Sequence, residues 1–195
     1  MGFETITLES ERVKLEPMSR DHLDALTEAG KYEELWRWTN AKADNREAMS
    51  AYMDVALAEV ERGIAMPFVT IDKPSSTVVG STRFHGIDPV NRRVEIGWTW
   101  ITPSFQRSYV NSEAKYLMLR QAFDVWDCVR VEIKTDVLNE KSRNAILRLG
   151  AVEEGILRRH TLTHSGRFRD TIYYSILDHE WPAVRAHLEA RLRQQ

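Results

Sequence analysis

Between Val94 and Leu119 the chain reads V-E-I-G-W-T-W-I-T-P-S-F-Q-R-S-Y-V-N-S-E-A-K-Y-L-M-L. A strand-like apolar run, Val94 to Thr102, passes through a short turn into an apolar helix-like run. That succession belongs to an open α/β sheet. The free N–H groups at the start of such a helix are where a phosphate would sit. Phosphate loops usually use glycine, and this turn has none, so it reads either as an altered cradle or as a simple turn. In the strand, alternation puts Val94, Ile96, Trp98 and Trp100 on one face, the expected core side, and Glu95, Gly97, Thr99 and Ile101 on the other. A carboxylate beside a strand glycine marks either a close approach to the backbone or a solvated edge residue next to a bulge.

Around this unit the periodicity predicts a regular succession of elements. A first strand is expected over Ile6 to Leu15. A helix follows Ser19 with Leu23, Leu26 and Ala29 on one side and stops at Gly30. Lys31 to Asp44 is a polar and aromatic link. A second helix opens at Asn45, carries Met49, Tyr52, Met53, Ala56, Leu57 and Val60 at helical spacing, and ends at Gly63. Strands are expected at Met66–Asp72, Val78–Ile87 and Arg93–Thr102, joined by Pro74-Ser75-Ser76 and Asp88-Pro89-Val90-Asn91. The central helix runs to about Asp127. Val129 to Val137 then alternates, with Val129, Val131, Ile133, Thr135 and Val137 facing one way and Arg130, Glu132, Lys134 and Asp136 the other. A helix from Asn139 or Glu140 stops at Gly150. Two strands near Gly155–Leu162 and Phe168–Leu177 flank Ser165-Gly166, and a final helix aligns Val184, Leu188 and Leu192. The order β-α-α-β-β-β-α-β-α-β-β-α predicts an α/β fold, a mixed sheet with helices on both faces, in one domain spanning residues 1–195.

Composition narrows the function. With 43% hydrophobic and 29% charged residues the chain can build a core. A net charge of −2 argues against nucleic acid as a partner. No apolar run reaches the roughly 18 residues of a membrane span. The opening M-G-F-E-T-I-T-L-E-S has no basic-then-apolar leader, so the cytoplasm is the expected location. The single cysteine, Cys128, reads as a small buried apolar side chain. His160 and His164 sit in or beside a strand, where four residues span roughly 13 Å, too far to share an ion, and no metal is expected. Arg158, Arg159, Arg167 and Arg169 gather around the last hairpin, either as a solvated basic edge or against phosphates or an acidic substrate.

Six words of sequence, in order, carry a resemblance: L-E-S-E-R-V-K-L-E-P, V-E-I-G-W-T-W-I-T-P-S-F-Q, N-S-E-A-K-Y-L-M-L-R-Q-A-F, N-E-K-S-R-N-A-I-L-R-L-G-A, E-G-I-L-R-R-H and G-R-F-R-D-T-I-Y-Y-S-I-L. From about Thr5 to Ala183 the chain resembles the GNAT N-acetyltransferases, in the branch of the RimJ/RimL protein N-terminal acetyltransferases. The resemblance implies a twisted, mostly antiparallel mixed sheet and acetyl-CoA as co-substrate. It also implies that the turn and helix hold the cofactor pyrophosphate. The family pattern there is Gln or Arg, Arg or Gly, any residue, Gly, any residue, Gly or Ala. Gln106 and Arg107 match it, Ser108 and Val110 fill free positions, and Tyr109 and Asn111 replace the small residues. A positive φ would be costly at Tyr109, whereas Asn111 tolerates one. Asn111 and Ser112 are candidate helix caps, and Arg107 adds charge.

Amine acetylation needs a base for the amine, a donor for the oxyanion and a proton for the departing thiolate. Glu95 is the leading candidate base, acting through water, and His85 on the neighbouring strand is the second. A backbone N–H near Trp100, Ile101 and Thr102 is the candidate oxyanion donor. Ser142 is a candidate acid, or an ordinary first-turn serine. Tyr174 could assist it, or be a core aromatic. The resemblance implies that Asn139 and Ser142 lie beside the pantetheine arm and thiol of the cofactor; Asn139 either bonds that arm or caps its own helix. Trp36 and Trp38 either cover the acceptor with Glu95 or simply pack. The expected partners are acetyl-CoA and an amine, a protein N-terminus or a small molecule. Exposed β edges and the apolar C-terminal helix point toward a homodimer. The rival reading is a non-catalytic module of the same fold that senses an acyl-CoA or binds protein through a degenerate loop.

Overall fold

The computed structural model describes residues 5–194, so the leader reading of residues 1–10 lies partly outside them. Eight strands form one sheet in the order β1-β2-β3-β4-β5-β6-β8-β7. They are β1 (Leu8–Glu9), β2 (Val13–Pro17), β3 (Ala65–Asp72), β4 (Thr77–Asp88), β5 (Arg93–Ile101), β6 (Arg130–Asp136), β7 (Val152–Leu162) and β8 (Phe168–Leu177). Every pairing is antiparallel except β5 with β6. The helices are α1 (Leu23–Gly30), α2 (Arg46–Glu61), α3 (Tyr109–Arg120), α4 (Glu140–Leu147) and α5 (Trp181–Leu192).

Three local expectations are corrected. The first strand is two, because the chain reverses at Ser10 and pairs Leu8 with Leu15. The Ser10 N–H donates to the Val13 carbonyl at 2.9 Å, and the Ser10 hydroxyl accepts the Val13 N–H at 3.1 Å, so a serine side chain closes the turn. Ser19 opens a short 3₁₀ turn over Arg20–His22, and α1 begins only at Leu23. The central helix ends at Arg120 and widens into a π-type turn over Gln121–Val125. Asn45 caps α2 as expected, its side chain accepting the Ala48 N–H at 3.0 Å.

Two apolar layers sandwich the sheet. On one face Val94, Ile96, Val131, Ile133, Ile172 and Ile176 pack with Val110, Leu117 and Met118 of α3, Ile146 of α4, and Val184 and Leu188 of α5. On the other, α1 and α2 lie over β3 and β4, with Leu26, Met49, Met53, Val69 and Trp100 buried between them. Fully burying each such large side chain contributes about 1.5–3 kcal/mol before the entropy of ordering it. Beyond α1 and α2 this second face turns polar: Lys134 and Asp136 of β6 lie opposite Tyr173 and Thr171 of β8.

Candidate active site

Strand β5 builds the cleft. It pairs with β4 from Arg93 to Ile101, but with β6 only where Arg93, Val94 and Glu95 meet Arg130, Val131 and Glu132. Beyond Glu95 the two strands part, while β6 stays bonded to β8 as far as Asp136. A bulge falls in the same stretch. Arg83 opposes Gly97 and Ser81 opposes Trp100, so the two residues Trp98 and Thr99 face Thr82 alone. Trp98 takes up the mismatch with φ +54°, a left-handed conformation costing about 1–3 kcal/mol for a bulky side chain.

The bulge resets the alternation, which corrects the expected core face. Val94 and Ile96 enter the layer under α3, whereas Trp98 and Trp100 join the layer under α1 and α2. Buried Arg83 stacks on the Trp98 ring at 4.6 Å and pairs with Glu59 of α2 at 2.7 Å. Thr99 turns the opposite way. There Lys115 of α3, itself buried, donates to Thr99 Oγ1 at 2.5 Å and Thr82 Oγ1 at 3.2 Å, bridging the strands across the bulge. Burial, with no carboxylate partner among the described residues, pushes the Lys115 pKa down to about 7.

Glu95 is buried at the point of divergence. Its Oε1 lies 2.6 Å from where a Cβ on Gly97 would be, so the close approach to the glycine backbone is made by the glutamate's own carboxylate. Oε2 meets Lys134 Nζ at 2.7 Å and lies 3.9 Å from His85 Nδ1; His85 Nε2 is 3.6 Å from Glu59. Burial, the largest single influence, would lower the Lys134 pKa, but Glu95 and Tyr173 together oppose it and the net shift is upward. Tyr173 completes this wall, its ring 5.5 Å from Lys134 Nζ. Tyr174 points the other way, wholly buried, its hydroxyl accepting from Arg143 Nε at 3.3 Å. Alternation along β8 thus gives the cleft the neighbouring tyrosine instead.

The turn after β5 is held by its own residues. Thr102 N–H donates to the Val79 carbonyl at 2.8 Å, toward β4. By alternation Ile101 turns its backbone groups to the open side, where Gln106 Nε2 donates to its carbonyl at 2.9 Å. Ser108, not Asn111 or Ser112, caps α3, accepting the Val110 N–H at 3.3 Å. The positive φ of the loop, +61°, falls on Arg107. Tyr109 is the first helical residue and bears no such strain. Its ring leaves the helix mouth: the hydroxyl donates to Asp72 Oδ1 at 2.5 Å and Arg12 stacks on the ring at 4.1 Å. That hydrogen bond, followed by burial, raises the Tyr109 pKa. The remaining first-turn N–H groups of α3 have no earlier carbonyl to receive them.

Asn139 is the cap of α4, its side chain accepting the Ser142 N–H at 3.2 Å. Trp36 is core, buried against Trp100 at 5.3 Å and Tyr52 at 5.8 Å, with its indole N–H on the Gly30 carbonyl at 2.8 Å. Trp38 stays partly exposed beside Arg167, 5.6 Å from its ring. The link carrying both tryptophans is strapped to the β7–β8 turn, where the His164 ring nitrogen bonds the Trp36 carbonyl at 2.9 Å. His160 lies against the Tyr173 ring at 5.9 Å. Among the described residues no group of three His, Cys, Asp or Glu side chains is arranged to hold a metal, and no helix is long and apolar enough to cross a membrane.

Sequence reasoning missed Lys134, Tyr173 and Lys115. The first two sat in legible alternating strands, but only pairing across the sheet brings them to Glu95. A lysine in the apolar run of α3 was the one local sign of Lys115.

The sequence and the fold are both matched by known proteins. Residues 12–152 match the acetyltransferase (GNAT) domain family. The chain belongs to the GNAT acetyltransferases. YdaF of Bacillus subtilis, named for ribosomal N-acetyltransferase activity, is 37% identical over 105 residues, 54% of this chain and 56% of that protein. The crystal structure of a GCN5-related N-acetyltransferase from Brucella melitensis is 32% identical with a TM-score of 0.91, covering 98% of this chain and 87% of its own. RimJ of Mycobacterium smegmatis, solved with CoA-disulfide, shares the fold at 22% identity and a TM-score of 0.83, over 96% of this chain and 95% of its own. The protein is thus an enzyme of the acetyltransferase class, with the mixed sheet expected of one.

Proposed function

We propose that this acetyltransferase moves the acetyl group of acetyl-CoA to a primary amine by direct attack within a ternary complex, and that the amine is a protein N-terminus. The observation that carries the reading is the parting of β5 from β6 immediately after a buried glutamate. It gives a thioester a slot and an incoming amine a carboxylate at the same point.

The residues fit the cofactor. The capped but otherwise unfilled first turn of α3 offers N–H groups and the positive helix end to a pyrophosphate, and Arg107 adds a cation. Tyr109 turns its ring toward Asp72, away from that mouth. Acetyl-CoA supplies the carbonyl to be attacked. Glu95 takes the amine proton, directly or through water, with Gly97 and Lys134 fixing its carboxylate. The Ile101 N–H faces the open side as oxyanion donor, and Ser142 gives a proton to the leaving sulfur. His85 stands behind Glu95 as an outward proton path. A ribosomal-protein acceptor in the cytoplasm accords with the YdaF match. The homodimer reading finds its surface on β7 and the start of β8, where Ile156, Leu157, Leu162 and Phe168 are each about half exposed.

The test is calorimetry with acetyl-CoA against desulfo-CoA and ATP, followed by mass spectrometry of N-terminal peptides. Micromolar binding that follows the CoA skeleton, with acetylation on the α-amine, is expected. No binding at millimolar acetyl-CoA would return the protein to the non-catalytic reading.

A further inference from the structure

On the open half of the sheet three buried carboxylates each hold a cation. Glu59 meets Arg83 at 2.7 Å, Glu95 meets Lys134 at 2.7 Å, and Asp136 meets Arg167. Arg169 has no carboxylate within 4 Å among the described residues. It donates through Nε to Thr171 Oγ1 at 3.0 Å and through Nη1 to the Trp38 carbonyl at 3.4 Å. A guanidinium carries five N–H donors, so most of its fork remains to be used. Burial lowers its pKa, while Asp136 and Glu95, each committed to another cation, oppose that shift from a distance. Partial burial of a cation beside neutral acceptors alone is unfavourable, and an arginine fork is shaped for a carboxylate.

We propose that Arg169 binds an anionic group of the acceptor, so that the amine reaching Glu95 belongs to a molecule with a carboxylate a short distance away. The inference rests on the acetyl-transfer reading. Lys134, the partner of Glu95, lies opposite Tyr173. The Arg169 side chain folds back onto Thr171, two residues or roughly 7 Å along the strand from Tyr173. An extended peptide advances about 3.3 Å per residue, so an acidic side chain at its second or third position spans that gap. Trp38, whose carbonyl holds Arg169, borders the same groove.

The experiment is calorimetry on the full chain, with and without saturating CoA, using C-terminally amidated peptides SEAA and SQAA, and β-alanine against β-alaninamide. SEAA is expected to bind about tenfold more tightly than SQAA, and the difference should collapse in Arg169→Gln. The wild-type comparison stands even if that variant folds poorly. Preference in the peptide arm assigns the site to acidic N-termini; preference only in the small-molecule arm assigns it to free aminocarboxylates. Equal affinities in both arms, or no binding of any probe, overturn the proposal. If SEAA is preferred yet is not acetylated when acetyl-CoA replaces CoA, Arg169 stands as an anion site and the acetyl-transfer reading falls instead.

Discussion

Two lysines reach β5 from opposite faces, and their surroundings differ in one respect. Lys134 meets the Glu95 carboxylate and its pKa is raised despite burial. Lys115 meets two threonine hydroxyls, and burial pushes it down to about 7. The α3 face therefore holds a polar bridge that is close to neutral at physiological pH and suits a packed core. The cleft face holds a matched ion pair at a point the chain leaves open. The strand separates a polar contact inside the core from an ion pair beside the opening, and the bulge at Trp98 decides which side chain goes where.

The sharpest way to break this comparison is at the carboxylate. Glu95→Gln should lower turnover by about 10²–10⁴-fold, the range for a lost general base, with acetyl-CoA affinity within about twofold. Steady-state kinetics beside calorimetry measures both, and unchanged turnover would falsify the role of Glu95. Next comes Gly97→Ala. The added Cβ meets a side-chain end, so the fold should hold while the carboxylate is displaced. Turnover should drop roughly 10- to 100-fold, as for small misplacements of a reacting group, with the thermal midpoint little moved.

On the other face, Lys115→Met should change the pH dependence of stability. The folded-state pKa is depressed from 10.5 to about 7, so between those values the unfolded chain binds the extra proton and wild-type stability rises with pH. Relative to Lys115→Met, the wild type should gain about 1 kcal/mol per pH unit between pH 7 and 10 and show no such trend below 7. Urea titrations at pH 6, 8 and 9.5 measure it, and parallel curves would remove the buried ammonium from the account. The smallest effect is expected at Tyr109→Phe. It loses one hydrogen bond to Asp72, about 1 kcal/mol of stability, and should leave acetyl-CoA affinity within about twofold. A large loss of affinity would show that the ring does bear on the cofactor mouth.

Much of the fold was legible because periodicity is local. The alternation of Val129–Val137 and the helical spacing from Met49 to Val60 follow from backbone geometry alone, and Asn45 announced its own helix cap. The six words shared with the family carried the identity and pointed to Glu95 and the loop after β5. What failed were inferences that extended a local rule past an irregularity. Trp98 and Trp100 were assigned by strict alternation, and one inserted residue reversed them. Tyr109 was judged against a positive φ that the loop places on Arg107, so its bulk costs no backbone strain. Tyr174 and Tyr173 are neighbours in sequence, but the side on which β8 meets β6 gives the cleft to Tyr173. The meetings of Glu95 with Lys134, Lys115 with Thr99, and Arg169 with Trp38 join residues 16 to 131 positions apart. No local signal encodes such meetings. The sequence by itself determined the elements, their order and the family; strand pairing and the point where β5 leaves β6 decided which charged groups face each other, because those contacts join residues far apart in the chain.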